Sequence, residues 1–464
     1  MTFLDPMTAR DAIALVTDEF TEFAEPTASS SAAGRPKDGP IDWPGYGDAR
    51  ARARQRTGED ESVVCGVGRV AEAGEAVLLS FEFGFLGGSL GERTGERIEF
   101  AHRRARELRL PLVALIATGG SRMQEGMRAL LQLQRVAGQI ALTRAAGLAQ
   151  IAVLRDPTTG GGWATLGAGS DVVLALPGAQ VGFAGSRVRP PDADPAAYTA
   201  ESQLAAGQID AVVAPEELRG TVARWIALLG PKDGEAEPVS PPAALFAGSG
   251  LPADGVAAVA RARAVGRPHA EEYLDAYFDW REPLVGDRCG GVDPGMLCGF
   301  GRRRSSRRPE GRTVAYAAQC GTATRPSGFR AAARLVRLAD RLGVPVLTLV
   351  DTPGAANDAA AEREGAGAAI ADLFAALASA TVPVTTLVIG EGGSGGALAL
   401  CTPDPELLWV TPDSYFSVIA PELALSILKR EPSELEETTE RLQLHPEALK
   451  RLGVAVGIVR RAGG

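Results

Sequence analysis

The sequence predicts an α/β protein made of two tandem domains with the same architecture. From Ser62 onward, strand-like apolar runs alternate with amphipathic helical runs, the rhythm of a protein built on parallel sheets. A second set of runs begins after residue 310 and aligns with the first at a constant offset. Glycine is abundant, with 56 residues, and aromatic residues make up only 5% of the chain, which favours tight backbone turns over aromatic-lined grooves.

Composition and charge narrow the class of protein. With 45% hydrophobic and 23% charged residues, the chain falls in the ordinary range of globular proteins. Its net charge of −9 leaves no overall positive field for a nucleic acid backbone. The N-terminal stretch is acidic where a secretory signal needs basic residues, and no run approaches 18 apolar residues. We therefore expect a cytoplasmic protein with no nucleic-acid or membrane partner.

The first half of the chain divides into a leader and a domain. Residues 1–60 include a Ser/Ala/Pro/Gly stretch without periodicity and are predicted to form a partly mobile leader. Residues 61–228 are predicted to form the first domain. Its strands are AVLLSFEF, PLVALIAT, AQIAVLRD, DVVLAL and AQVGFAG, and its helices include GERIEFAHRRAREL and EGMRALLQLQRVAGQIALTRAAG.

The second half consists of a linker and a domain. Residues 229–268 concentrate Pro, Gly and Ala and are predicted to form the linker. Residues 269–464 are predicted to form the second domain. Its strands are RTVAYAAQ, PVLTLVDTPG, PVTTLVIGEG, LLWVTP and YFSVIA, and its helices include RAAARLVRLADRLG and AAIADLFAALASA.

The two domains repeat each other in sequence. Placing LPLVALIATGG over VPVLTLVDTPG aligns Pro111 with Pro345 at an offset of 234 residues. The same offset lays Gly161–Gly162 over Gly395–Gly396 without a gap. Because the matched glycines fall at corresponding strand ends, a duplicated domain explains the length better than chance likeness between two α/β units.

Each domain contains one glycine-rich turn that can carry chemistry. The segments DPTTGGGWATLGA and GEGGSGGALAL both lead from a strand through consecutive glycines into a helix rich in small residues. Backbone N–H groups converge at such a helix N-terminus and can stabilise a developing oxyanion. Close packing would explain one such turn by itself, but two turns in matching positions of a repeat favour a function.

Other catalytic systems find little support. None of the three histidines, His102, His269 and His445, follows a predicted strand, which disfavours a Ser-His-Asp or Cys-His system. Ser394 fits the letters of a nucleophile turn, with a small turn residue as the alternative interpretation. The chain has no P-loop and no dinucleotide-binding motif. Its five cysteines form no Cys-x-x-Cys pair, so we expect reduced packing thiols and no bound metal.

At this point the motifs resemble a known family. FEFGFLGGSLGERTGER, ATGGSRMQEG, VLRDPTTGG, FAGSRV and GQID are similar to the β subunit of the carboxyltransferase of bacterial acetyl-CoA carboxylase. LVDTPGA, EREGAGAAIADL, VIGEGGSGGALAL and YFSVIAPELALSIL are similar to its α subunit. The resemblance covers roughly residues 42–455 and makes the chain look like a β-α fusion. It implies two tandem crotonase-like domains, each a ββα spiral.

The resemblance also implies an activity and partners. The chain would move CO2 from carboxybiotin, borne on a separate biotin carboxyl carrier protein, to the α-carbon of an acyl-CoA, as from acetyl-CoA to malonyl-CoA. Biotin carboxylase would be another chain. A site between the N-half of one protomer and the C-half of another would require a homo-oligomer, a dimer or larger. Both half-reactions develop negative charge on an oxygen, so two oxyanion holes are needed, as the repeat supplies.

The resemblance assigns residues to the two holes. It places the acyl-CoA thioester oxygen on Gly160 and Gly161, and the biotin ureido oxygen on Gly396 and Ala397. The offset instead pairs Gly162 with Gly396, so the two assignments of the first hole differ by one residue. The residues implied in substrate binding are Gly119, Gly120, Arg122, Gly162, Gly393 and Gly395. For Arg122, an ion pair at a helix start is the alternative.

Some features depart from the family pattern. No four-cysteine zinc ribbon precedes Cys65, and Ala318-Gln319-Cys320-Gly321 stands where α subunits carry a His/Lys segment. Two alternatives to the transferase therefore stay open: a biotin-independent malonyl-thioester decarboxylase of the same fold, and a non-catalytic assembly subunit. An arginine run is expected in a hairpin loop, either solvated or contacting CoA phosphates; it comprises Arg302, Arg303, Arg304, Arg307 and Arg308.

Overall fold

The computed structural model describes residues 7–24, 36–232, 234–245, 250–305 and 308–461. The chain folds into two compact units, Met1–Pro231 and Lys232–Gly464, called unit 1 and unit 2 below. The division falls three residues after residue 228, the predicted end of the first domain. Among the described helices, none is long and apolar enough to cross a membrane.

Unit 1 is built on one mixed sheet. Its strands are β1 (Glu19–Glu22), β2 (Val63–Arg69), β3 (Glu75–Phe81), β4 (Leu112–Thr118), β5 (Gln150–Thr159), β6 (Val172–Ala175), β7 (Val181–Gly182) and β8 (Ala211–Val212). They run in the order β1-β2-β3-β4-β5-β6-β8, and β7 pairs with the end of β5. The pairs among β1, β2 and β3 are antiparallel, and those from β3 to β8 are parallel.

The helices of unit 1 pack against this sheet. They are α1 (Ala9–Val16), α2 (Tyr46–Thr57), α3 (Glu92–Leu108), α4 (Met127–Ala145), α5 (Gly160–Gly162), α6 (Ala200–Ala205) and α7 (Pro215–Leu229). On α3, Ile98, Ala101 and Ala105 recur at helical spacing and are fully buried in the core. All seven residues of β4 are buried, as expected of a parallel strand in a sheet with both faces covered.

Unit 2 repeats this plan. Its strands are β9 (Trp280–Pro283), β10 (Met296–Ser305), β11 (Arg308–Gln319), β12 (Val346–Thr352), β13 (Val384–Gly393), β14 (Leu408–Val410), β15 (Tyr415–Ser417) and β16 (Gly457–Ile458). They run in the order β16-β14-β13-β12-β11-β10-β9, with β15 on the end of β13. Its helices are α8 (Gly255–Ala262), α9 (Ala270–Tyr277), α10 (Pro326–Arg341), α11 (Ala359–Arg363), α12 (Ala366–Ser379), α13 (Ser394–Leu398), α14 (Pro421–Leu428), α15 (Leu435–Arg441) and α16 (Pro446–Arg451).

The two sheets have the same strand order and the same directions. The β-strand starts at Leu112 and Val346 are 234 residues apart, as are the helix starts at Gly160 and Ser394. The predicted offset of 234 therefore describes the structure from the central strands to the glycine-rich turns. The duplication and the α/β class predicted from the sequence are confirmed.

The described part of the predicted leader is folded onto unit 1. The Ala9 N–H at the start of α1 donates to Glu82, at 2.8 Å, and the Arg155 guanidinium donates to the carbonyl of Met7, at 3.0 Å. Strand β1 adds to the edge of the sheet. Residues 25–35, in the Ser/Ala/Pro/Gly stretch, lie outside the described residues.

The described part of the predicted linker contributes to unit 2. Helix α8 starts after Asp254, whose carboxylate accepts from the Ala257 N–H at 2.7 Å. Val239 is buried, and its carbonyl accepts from the Thr385 hydroxyl at 2.9 Å. Proline, glycine and alanine content predicts a linker here, and apolar and capping residues within the segment attach it to the sheet of unit 2.

Candidate active site

The glycine-rich turn of unit 1 follows β5. Gly160 begins α5 with φ +64°, a left-handed conformation that favours glycine, and its N–H donates to the carbonyl of Phe183 at 3.0 Å. A Cβ added at Gly160 would lie 3.0 Å from the Cα of Gly120. At Gly162, a Cβ would lie 2.3 Å from the Thr118 methyl group. The turn therefore depends on close backbone approach.

Gly119 and Gly120 form the segment that faces this turn. The Gly119 N–H donates to the Gly87 carbonyl at 2.9 Å, and the Gly120 N–H donates to the Thr118 hydroxyl at 3.0 Å. Gly120 has φ +108°. Both N–H groups are thus engaged within the protein. The structure brings the predicted residues of the first turn together, with Gly119 and Gly120 shaping one wall.

The turn of unit 2 has the same construction. Ser394 begins α13 with φ +50°, and Gly354, in the facing segment, has φ +139°. The Gly354 N–H donates to the Thr352 hydroxyl at 3.1 Å, as Gly120 does to its threonine in unit 1. A Cβ added at Gly396 would lie 2.2 Å from the backbone nitrogen of Ala355. The second turn therefore requires glycine at position 396.

The other predicted residues of the second turn differ in their surroundings. A Cβ at Gly393 would lie 2.0 Å from the Pro353 carbonyl oxygen, whereas a Cβ at Gly395 would meet nothing within 4 Å. Ala397 is fully buried. The turn is thus closed against the facing segment on one side and open at Gly395.

In both glycine-rich turns, the groups available for chemistry are the backbone N–H groups at the start of the helix. The first N–H groups of a helix have no partner within the helix, and the dipole favours negative charge there. The N–H groups of Gly120 and Gly354, in the facing segments, already donate to threonine hydroxyls. Each turn can therefore hold an oxyanion through backbone N–H groups at the start of its helix.

Gln319 supports the second turn and was not singled out from the sequence. Its side chain is fully buried at the end of β11, and its Nε2 donates to the Gly396 carbonyl and to the Thr324 hydroxyl, both at 3.1 Å. Its Oε1 is buried without a hydrogen-bond partner. Because Gln319 holds the Gly396 carbonyl, it fixes the orientation of the adjoining peptide group.

Gln319→Leu is expected to lower the rate of the carboxyl transfer that the family resemblance implies, as well as stability. Removing the amide leaves the Gly396 carbonyl without its donor, at a cost of about 1–3 kcal/mol of unfolding free energy. Gln150→Leu is the matched control, because Gln150 is also buried and donates to a backbone carbonyl, that of Ile140, at 3.1 Å. Urea unfolding should show similar losses for both variants, and a loss of transfer rate in Gln319→Leu alone. Equal transfer rates in the two variants would contradict this support role.

Arg122 forms a buried ion pair. Its side chain is fully buried and bonds Glu61 through both terminal nitrogens, with further bonds to Tyr46 and Glu125. The ion-pair interpretation is therefore what the structure shows, and the guanidinium faces no solvent from which it could contact CoA directly. Ser89, whose carbonyl accepts from Arg122 at 2.8 Å, ties this cluster to the start of α3.

This ion pair makes stability depend on pH. Burial by itself would raise the pKa of Glu61, but the Arg122 guanidinium outweighs it and lowers the pKa from 4.5 to about 2. The stabilisation is therefore fully present above pH 4.5 and is lost as the pH falls toward 2.

Glu61→Gln is expected to reduce the unfolding free energy at neutral pH by about 3–5 kcal/mol, because it leaves a buried guanidinium without its carboxylate. Urea unfolding from about pH 5 down to pH 3 should show the wild type approaching the variant. Glu19→Gln is the control, since Glu19 pairs with Arg69 on the surface at 3.9 Å. A constant difference between wild type and Glu61→Gln across this range would contradict the assignment.

None of the three histidines follows a strand, as the sequence indicated, but one of them contacts a carboxylate. His102 lies buried in α3, and burial, with Arg106, lowers its pKa to about 3. His445 precedes α16. His269 precedes α9 and contacts Asp351, which lies in β12, through Nδ1 at 2.8 Å. A histidine paired with a strand-end carboxylate was thus missed, because the two residues are 82 positions apart.

Three other kinds of site were considered: Ser394 as a nucleophile, the arginine run as a CoA phosphate site, and a metal site. No histidine hydrogen-bonds Ser394 among the described residues. The arginine run lies on the β10–β11 hairpin as predicted, except Arg307, which is outside the described residues. Arg303 stacks 3.8 Å from the Tyr277 ring centroid, and Arg308 pairs with Glu237 at 2.7 Å. In the described part of the chain, no group of three or more His, Cys, Asp or Glu could hold a metal ion.

Comparison with known proteins identifies the class. The sequence model of the family described as "Carboxyl transferase domain" matches residues 43–226, and that described as "Acetyl co-enzyme A carboxylase carboxyltransferase-like" matches residues 253–464. The fold, the paired turns and these matches define a two-domain carboxyltransferase.

Two proteins that are similar in sequence show the family to which the chain belongs. The chain is 37% identical to the acetyl-coenzyme A carboxylase carboxyl transferase subunits beta/alpha of Saccharopolyspora erythraea, over 92% of this chain and 77% of that protein. It is 41% identical to the protein of the same name from Salinispora arenicola, over 88% and 74%. The chain belongs to the family of acetyl-CoA carboxylase carboxyl transferase β/α subunits, and the predicted activity class of biotin-dependent carboxyl transfer is confirmed.

Solved structures agree on the fold. The chain superimposes on transcarboxylase 12S, a hexamer solved with methylmalonyl-coenzyme A bound, with a TM-score of 0.73 and 20% identity, covering 98% of this chain and 86% of that one. It superimposes on a single-chain, multi-domain long-chain acyl-CoA carboxylase with a TM-score of 0.71 and 19% identity, covering 98% and 44%. The predicted tandem crotonase-like fold is confirmed.

Proposed function

We propose that this chain transfers a carboxyl group from carboxybiotin on a separate carrier protein to the α-carbon of an acyl-CoA, with acetyl-CoA as the first candidate. The observation that carries the proposal is the equivalence of the two turns, which start their helices at Gly160 and Ser394 with positive φ. Two oxyanions develop in this reaction, and the chain offers one backbone hole for each.

The first turn would receive the thioester oxygen of the acyl-CoA. The N–H of Gly160 already donates to Phe183. We therefore assign the donors to Gly161 and Gly162, one residue beyond the pair that the family motif implies. At the offset of 234, Gly162 corresponds to Gly396, so the donor pairs of the two turns share this one position. Gly160 then serves by its left-handed conformation, which turns the chain from β5 into α5.

The second turn would receive the ureido oxygen of biotin. Gly396 and Ala397 supply the N–H groups, and Gln319 holds the Gly396 carbonyl at 3.1 Å. The surroundings fit such a group, because the turn is open at Gly395 and the atoms nearest to an added Cβ at Gly396 all belong to the backbone of the facing segment. When bound, carboxybiotin supplies the CO2, and the chain's own N–H groups stabilise the charge left on the oxygen.

We propose that the protein works as a homo-oligomer, a dimer or larger, beside a separate biotin carboxylase. Large apolar side chains stay exposed on both units, which is typical of interaction surfaces. In unit 1, Met123 and Met127 are 74% and 65% exposed, and in unit 2, Val418 and Ile427 are 76% and 67% exposed. The chain carries no motif for ATP binding, so carboxylation of biotin requires another enzyme.

A panel of acyl-CoA substrates tests the function. The purified chain is mixed with carboxylated carrier protein and, separately, with acetyl-, propionyl- and butyryl-CoA, and the carboxylated thioester is quantified. We expect product from at least one, in proportion to the carrier supplied. Absence of product from all of them would overturn the transferase. CO2 release from malonyl-CoA without any carrier would instead identify a decarboxylase.

A further inference from the structure

His269 and Asp351 form a polar pair at the carboxyl edge of the sheet in unit 2. Asp351 is fully buried, and its Oδ2 lies 2.8 Å from Nδ1 of His269. Because a carboxylate only accepts hydrogen bonds, Nδ1 carries the proton of the neutral ring, and Nε2 is then free to accept one. The aspartate thus fixes which nitrogen of His269 is basic.

The charge of Asp351 is balanced without His269. The buried Arg267 guanidinium lies 2.6 Å from Oδ1, and the Glu391 N–H donates to the same oxygen at 3.1 Å. A neutral His269 leaves this group with no net charge, and a protonated His269 adds one positive charge. The buried carboxylate is therefore compensated by Arg267 and does not require a charge on the ring.

The His269 ring is only partly covered by the protein. The side chain is 45% exposed although Nδ1 is bonded to a fully buried group. Gly321, with φ +81°, covers the other edge of the ring, since a Cβ there would lie 2.9 Å from Cε1 and 3.0 Å from Nδ1. The accessible edge is consequently that of Nε2 and Cδ2.

His269 lies near the second turn through β11. Gly321 is two residues beyond Gln319, whose amide bonds the Gly396 carbonyl, so the Cα atoms of Gly321 and Gln319 are at most about 7.6 Å apart. The Gly321 N–H donates to the Asp351 carbonyl at 2.7 Å. The carboxyl ends of parallel strands are where α/β sheets place reacting groups.

We propose that His269 is a proton-transfer residue for carboxyl transfer and that Asp351 is its positioning residue, an inference that rests on the function proposed above. In the direction from malonyl-CoA to biotin, Nε2 accepts the ureido N–H proton while that nitrogen bonds the carbon of CO2. The electron pair of the broken bond in malonyl-CoA stays on its α-carbon, which takes up one proton. The proton lost by nitrogen thus equals the proton gained by carbon.

The pH dependence of carboxyl transfer is set by the charged groups around the His269 ring. Charged and titratable groups around His269 or the carboxylate it contacts come from the segment before α9, from α9, and from the ends of β11, β12 and β13: Arg267, Glu272, Tyr273, Cys320, Asp351 and Glu391. Burial raises the pKa of the Cys320 thiol to about 12, so this thiol does not compete for the proton.

His269→Gln tests the proposal in the transfer of the carboxyl group from malonyl-CoA to biocytin, the biotin–lysine conjugate. We expect kcat to fall about 100-fold with KM little changed, because a general base contributes at least this much. The acidic limb of the wild-type pH profile should disappear, and added imidazole should restore part of the rate. His445→Gln, which replaces another histidine before a helix, should keep wild-type kinetics. A wild-type rate and pH profile in a folded His269→Gln variant would overturn the proposal.

Nitrogen NMR of histidine-labelled protein gives a readout that does not depend on turnover. The chain has three histidines, so assignment by the His269→Gln and His445→Gln variants is direct. We expect His269 to be protonated at Nδ1 when neutral and its Nε2 signal to shift on addition of biocytin. A ring protonated at Nε2 would overturn the proposal. Failure of wild-type transfer with the expected NMR result would instead count against the proposed function.

Discussion

Gly396→Ala is expected to lower carboxyl transfer at least about 100- to 1000-fold, the usual cost of losing an oxyanion donor. The added Cβ would lie 2.2 Å from the Ala355 nitrogen and 2.7 Å from the Gly354 carbonyl carbon. Both are backbone atoms that cannot rotate away, so the start of α13 must separate from the facing segment. The N–H groups at this turn then no longer point toward the ureido oxygen.

Gly367→Ala is the matched control for this change. It adds the same methyl group near the start of another helix of unit 2, α12, where nothing lies within 4 Å. Single-turnover transfer from carboxylated carrier should keep the wild-type rate in Gly367→Ala and fall in Gly396→Ala, while acetyl-CoA binding stays intact in both. Near wild-type transfer in a folded Gly396→Ala variant would show that this glycine serves packing only.

The sheet cores and the repeat could be predicted from sequence because their signals are local. Buried parallel strands such as β4 and β12 read as mainly apolar runs, and all residues of both are buried, including the polar residues at their carboxyl ends. Consecutive glycines after such a strand marked both turns. The constant offset then related the two domains without any knowledge of contacts between strands.

The supporting residues could not be predicted because their partners are distant in sequence. Gln319 meets Gly396 across 77 positions, and Arg122 meets Glu61 across 61. Nothing in the local pattern at these positions distinguishes a buried polar partner from a solvated side chain. A signal existed only for Arg122, a charged residue directly after an apolar strand and its glycine turn, and it allowed both interpretations.

Segments with weak periodicity were the least predictable part of the fold. The leader and the linker have compositions typical of mobile chain, yet their described residues include α1, α2 and α8. These helices gain stability from packing and capping against the sheets rather than from a strong pattern of their own. Composition alone therefore understates order where a short apolar face meets an existing core.

Gly160→Ala is expected to reduce the use of acyl-CoA about 100-fold while sparing CO2 release from the carboxylated carrier. At φ +64° an alanine costs about 1–2 kcal/mol, and its Cβ would lie 3.0 Å from the Gly120 Cα, which belongs to the wall of the same turn. The strain displaces α5 together with the N–H groups of Gly161 and Gly162. On the proposed assignment, these hold the thioester oxygen.

Gly178→Ala separates backbone strain from loss of the hole. Gly178, also in unit 1, has nearly the same conformation, φ +68°, but a Cβ there meets nothing within 4 Å. Both variants should therefore lose the unfolding free energy of a left-handed alanine, Gly160→Ala somewhat more because of its added contact, and only Gly160→Ala should lose kcat/KM for acetyl-CoA. If the two variants lose acyl-CoA activity equally, or if Gly160→Ala impairs carrier-linked CO2 release as much as acyl-CoA use, the first turn does not act as a separate oxyanion hole.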